Sequence, residues 1–255
     1  MRSVLILSLG FTLAALVWAF FMPLSAHALV RSLADPDNDR SEIEAALLAC
    51  GRNADGALLE GLESSHSQVR LRCARVLALK GDRRGDAALL KLLSAPGNDE
   101  TAVAQAEAYL TAAWSEREGP PAVLRGKLLR EETFKTDADR LLALNEALGR
   151  FPGWTAGYVQ RAIVYQRTGS VLEARLDALH ALELEPSHYE AMIVLGNCNL
   201  LLSAPDQAYS CYDQAVRLNP RLRLQFKSEI RDLLRTIEIE RARRRREKRR
   251  EMPLA

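Results

Sequence analysis

The chain has 255 residues, 48% of them hydrophobic and 6% aromatic, with a formal net charge of +2. That length admits one or two domains with an apolar core, and the composition excludes a wholly disordered chain. No run alternates apolar and polar residues, so the expected class is all-α. No H-E-x-x-H, G-x-S-x-G, Walker loop or G-x-G-x-x-G occurs, so enzyme chemistry has no motif here and no metal or cofactor is expected.

Residues 1–28 read as a separate unit. Arg2 precedes an apolar run from Val4 to Leu24, and Ala26-His27-Ala28 follows. An apolar run before an A-x-A site is the layout of a secretory signal peptide. The run is also close to the ~20 residues that span a bilayer, so an uncleaved anchor is the alternative. Pro23 and the small-residue site favour cleavage. Either way the body is expected outside the cytoplasm, periplasmic or extracellular, and tethered through residues 4–24 if the run is kept. Asp35, Asp37 and Asp39 fit that orientation. An oxidising compartment permits disulfides among Cys50, Cys73, Cys198 and Cys211, although small buried thiols are the simpler expectation.

Residues 41–115 carry a short repeat. Leu58-Leu59 recur as Leu89-Leu90, each in a short apolar helix, Ala57–Leu62 and Ala87–Leu93. Between them stand Val69-Arg70, Cys73-Ala74, Leu77 and then Gly81-Asp82, with Ser41–Cys50 as a leading helix and Thr101–Trp114 as a closing one. This pattern resembles HEAT repeats, in which a Val-Arg pair opens the second helix and Gly-Asp follows it. Glu116-Arg117-Glu118-Gly119-Pro120-Pro121 cannot continue a helix and marks a joint.

From 121 to 222 the period is 34. Pro152, Pro186 and Pro220 each close an apolar-periodic run, and proline both lacks an N–H and clashes with the turn before it. Segment 189–222 reads Met192, Leu195-Gly196, Asn199, Ala208, Tyr212, Pro220; segment 155–188 reads Tyr158, Arg161-Ala162, Tyr165, Ala174, Ala178, Pro186. Both resemble tetratricopeptide repeats. Gly196 with Ala208, and Ala162 with Ala174, are expected at the close approaches of paired helices. Ser170 with Glu173 reads as a capping box, and Pro205 falls early in its helix. Segment 121–154 is a degenerate first repeat, with Lys127, Glu131 and Arg140 at apolar or small positions. The expected fold is a right-handed helical-hairpin repeat solenoid, all-α, with a HEAT-like block ahead of it.

After Pro220, residues 223–240 are expected to form a capping helix over the last apolar surface. The chain then runs into Arg241, Arg243, Arg244, Arg245, Arg246, Lys248, Arg249 and Arg250, a local charge of +7 that leaves the remainder near −5. Such a cluster suits an anionic lipid or polymer surface. Nucleic acid is disfavoured because no aromatics interleave with the arginines.

The tetratricopeptide resemblance implies a concave groove lined by the first helix of each pair, receiving a peptide or partner helix. By phase the candidates are Val159, Gln160, Ile163, Gln166 and Arg167, with Glu190, Ile193, Val194, Asn197 and Leu201. Few of these are basic, so a carboxylate clamp is disfavoured against a mixed apolar groove. The expected role is an exported, non-catalytic scaffold for a protein or peptide. A membrane-anchored envelope assembly factor using the basic tail is the alternative.

Overall fold

The computed structural model describes residues 23–35, 39–95 and 99–222, with Asp232, Arg235, Ile239, Ala242 and Arg243 beyond them. The apolar run before Pro23, most of the expected capping helix and the basic run apart from Arg243 lie outside the described residues. Among the described residues there is no strand, and no helix is long and apolar enough to cross a membrane. The chain divides into two units, Met1–Ala113 and Trp114–Ala255.

The first unit holds α1 (Pro23–Ser32), α2 (Arg40–Ala49), α3 (Asp55–Leu62), α4 (Ser67–Leu79), α5 (Arg83–Ser94) and most of α6 (Glu100–Glu116). The helices fall where the Leu-Leu repeat places them. Asp39 caps α2 by accepting from the N–H groups of Ser41 and Glu42, and Asp82 caps α5 through Arg84 N–H. Arg70 donates to the carbonyls of Ser64 (2.6 Å) and Ser65 (3.0 Å), closing the turn after α3. Val69 beside it turns into a core with Leu47, Leu58, Cys73 and Leu77. Glu44 is buried and held by Arg72 (2.8 Å) and Arg75, whose guanidinium groups also lie over the Tyr109 ring of α6. Ala26-His27-Ala28 lies inside α1, and Ala26 is fully buried.

Helices α4 and α5 meet at Gly85. A Cβ there would sit 2.6 Å from the Ala74 carbonyl oxygen and 2.8 Å from Leu77 Cβ, and backbone cannot step aside. Gly85→Ala is therefore expected to lower stability by about 1–3 kcal/mol, as overpacking does. A urea midpoint equal to that of the parent would show that α5 slides away freely.

The second unit contains α7 (Ala122–Leu129), α8 (Asp137–Arg150), α9 (Thr155–Arg167), α10 (Val171–Leu184), α11 (Tyr189–Leu201) and α12 (Pro205–Leu218). They form three helical hairpins, α7–α8, α9–α10 and α11–α12, each closed by its proline as the sequence predicts. The residue before each proline is driven out of the helical region to the same place. Phe151 lies at φ −127°, ψ 68°, Glu185 at −136°, 90° and Asn219 at −129°, 92°.

Two residues after each proline stands a buried one. Trp154 and His188 are the N-caps of α9 and α11, 0% and 2% exposed, and Leu222 at the same place is 5% exposed. Trp154 donates its indole N–H to the Ser115 carbonyl (2.9 Å), and His188 stacks on Trp114 at 4.4 Å.

Two local expectations are corrected. Ser170 is the N-cap of α10 but its side chain accepts no capping bond. Its own N–H is spent on the Tyr165 carbonyl (2.8 Å), so the reciprocal bond to Glu173 has no donor. At Gly196 the close neighbour is the Tyr212 ring, 2.9–3.2 Å from a would-be Cβ, and not Ala208. In the first hairpin Arg140, a departure from the small-residue pattern as expected, is nevertheless accommodated inside the fold. It is 1% exposed at the position that Ala174 and Ala208 fill in the later repeats. The room comes from α7, which ends after 8 residues where α9 and α11 run for 13.

Candidate partner groove

The first helices α9 and α11 lie side by side. Gln166 on α9 bridges them, donating its amide N–H to the Val194 carbonyl (2.9 Å) and to Cys198 Sγ (3.1 Å) on α11. Ile163 on α9 is half-buried against the core that α9, α10 and α11 share, Ile193 is half-buried against Ala208 and Tyr212 of α12, and Leu201 on α11 is 61% exposed. Glu190 and Asn197 are half-buried on the same helix.

Two of the expected groove residues point elsewhere. Val159 is 1% exposed and Val194 is 5%, both within the core that α9, α10 and α11 share. A first helix in a stacked array is covered by its own partner and by the next hairpin, so its free arc is narrower than the five positions chosen by phase.

The polar members are already engaged. Gln160 accepts from Arg140 Nη2 (2.6 Å), while Arg140 Nη1 reaches Glu131 (3.0 Å). Arg167 pairs with Glu131 (2.9 Å) and with Asp137. The guanidinium groups of Arg140 and then Arg167 hold the Glu131 carboxyl below its usual range. Asn197 accepts from the Tyr212 hydroxyl. Beneath this face Arg161 makes a forked pair with Asp177, 2.7 Å on both branches, and that bond raises its already high pKa. Arg167, the one basic residue among the groove candidates, is tied to two carboxylates. What this face offers is apolar area with fixed polar borders.

This engagement changes how a binding test is read. Gln160→Ala strands a donor on the buried Arg140 guanidinium, which is expected to cost about 1–3 kcal/mol of stability. Urea unfolding checks it. A variant as stable as the parent would mean water reaches Arg140.

No group of His, Cys, Asp and Glu among the described residues could hold a metal ion. His180, half-exposed, lies 3.3 Å from Glu183 and edge-on to Tyr158. All four cysteines are free thiols, so no Cys198–Cys211 bridge is present. Burial raises the pKa of each, that of Cys73 to about 12 with help from Glu44. Of the basic run, Arg241, Arg244, Arg245, Arg246, Lys248, Arg249 and Arg250 lie outside the described residues, and Arg243 is helical and exposed.

No family model matches the chain, and no curated protein matches it. Among solved structures it is similar to the TPR2AB domain of yeast Sti1 in complex with pHSP90, at 21% identity over 77% of this chain and 84% of that one, with a TM-score of 0.39. It is also similar to MamA MSR-1 C2, at 15% identity over 71% of this chain and 95% of that one, with a TM-score of 0.32.

Proposed function

We propose that this chain is an exported, non-catalytic interaction scaffold that receives a peptide or helix on the face formed by α9 and α11. The reading is supported by Ile163 on α9 and Ile193 and Leu201 on the adjoining α11, candidates by phase that keep some exposure, beside polar groups that already have partners. Apolar area framed in this way suits an amphipathic helix or an extended segment with spaced apolar anchors. The arginine run supplies a second, electrostatic contact to an anionic lipid or polymer surface.

A photo-crosslinking residue at Ile193 tests the groove, with one at Leu176 on α10 as control, since Leu176 is 65% exposed. The expected result is a discrete adduct from position 193 that is absent from 176. Equal labelling at both positions, or none at 193, removes this face from consideration.

A further inference from the structure

We propose that residues 23–28 stay in the folded protein, and that the apolar run ending at Leu24 is a permanent membrane tether rather than a signal peptide that is removed. The argument starts from α1. Ala26, Val30 and Leu33 recur at helical spacing and are 0%, 7% and 0% exposed, packed into the same core as Leu47, Leu58 and Cys73. On α3 the facing position is Gly61, where a Cβ would stand 2.9 Å from Val30 Cγ1 and closer still to Cys73 Sγ. The two helices can lie together because that side chain is missing. His27 Nε2 adds a contact to Glu60 at 3.3 Å.

Cleavage after Ala28 removes Ala26 and His27 and leaves Leu29–Ser32 to hold Val30 and Leu33 in place. That is about one helical turn, far below the length at which a helix sustains itself. The A-x-A tripeptide is therefore part of a folded element as well as a match to a processing site. The apolar run from Val4 to Leu24 has the ~20 residues a bilayer requires. The last two residues of the run, Pro23 and Leu24, already lie within α1. A retained run would hold the first unit directly at the membrane surface.

The test compares the full chain with its Ala28→Leu variant, a change at an exposed position of α1. Both are expressed starting at Met1 with a C-terminal tag, in cells that have a Sec-type export pathway. Signal peptidase requires a small residue immediately before the cut, so leucine at position 28 blocks cutting there. Retention predicts that the two proteins have the same length by intact mass, that both carry the N-terminal residues, and that both stay in the membrane pellet after alkaline carbonate. A parent chain beginning at Leu29 and shorter than the variant overturns the proposal. So does an intact parent chain that carbonate releases. Neither readout depends on the variant folding well.

Discussion

Trp154→Ala is expected to remove about 3–5 kcal/mol from the second unit, the range for truncating a large buried aromatic. The ring is fully buried at the head of α9, in a slot where two glycines make room for it. A Cβ at Gly119 would come within 2.7 Å of Cδ1, and one at Gly157 within 2.7 Å of Cζ3. Neither glycine can fill the space that alanine would leave. The indole also gives up its bond to the Ser115 carbonyl, and with it the tie between α9 and the segment preceding α7. Trp154→Phe keeps most of the apolar area and loses the hydrogen bond, so a smaller cost of about 0.5–1.5 kcal/mol is expected. Denaturant unfolding followed by circular dichroism separates the two. A loss below about 1 kcal/mol for the alanine variant would show that the slot collapses and that the ring is not a keystone.

The second large effect lies 34 residues on, where His188 takes the place of Trp154. Burial lowers the His188 pKa to about 3, so the ring is neutral in the fold at any ordinary pH. In the unfolded chain a histidine takes up a proton near pH 6.5. Below that pH the unfolded state binds a proton that the folded state refuses, and stability falls as pH falls. The slope is about 1.4 kcal/mol per pH unit between about pH 6.5 and 3, and this group contributes none above pH 6.5. His188→Asn keeps an acceptor for the Ala191 N–H and cannot titrate. Its stability should be flatter than the parent's between pH 6.5 and 4.5, whatever constant offset the change introduces. Parallel curves would mean that protonated His188 finds solvent without unfolding.

The period of 34 was open to view because proline acts locally. Pro152, Pro186 and Pro220 forbid helix at the residue before them regardless of what packs nearby. Helix starts were less legible: Asp82 caps α5 at Arg83, but the turn it opens is polar, so the apolar pattern marks only Ala87–Leu93 of that helix. Ser170 failed because the preceding turn claims its N–H, a competition between backbone groups that residue type does not record. Arg140 reads as a defect when it is compared with Ala174 and Ala208, and becomes a buried link only once α7 is known to stop short. Trp154, His188 and Leu222 share one place in the repeat yet share no chemistry. A search by residue type passes over them, although each stands two residues after a proline. Of the groove candidates chosen by phase, Ile163 and Ile193 are half-buried, but phase could not show that Val159 and Val194 are buried in the core that α9, α10 and α11 share.

The joints have an engineering consequence. Trp154 lies at φ −78°, ψ 90° and His188 at −74°, 89°, so the residue before α9 and the residue before α11 share nearly one backbone conformation. A duplicate of residues 155–188 spliced in after His188 would therefore begin and end on matching geometry, with no new turn to invent. The Arg161–Asp177 fork travels with the copy because both partners lie inside it. Array length in this molecule is then an editable quantity, set by the number of modules between fixed ends.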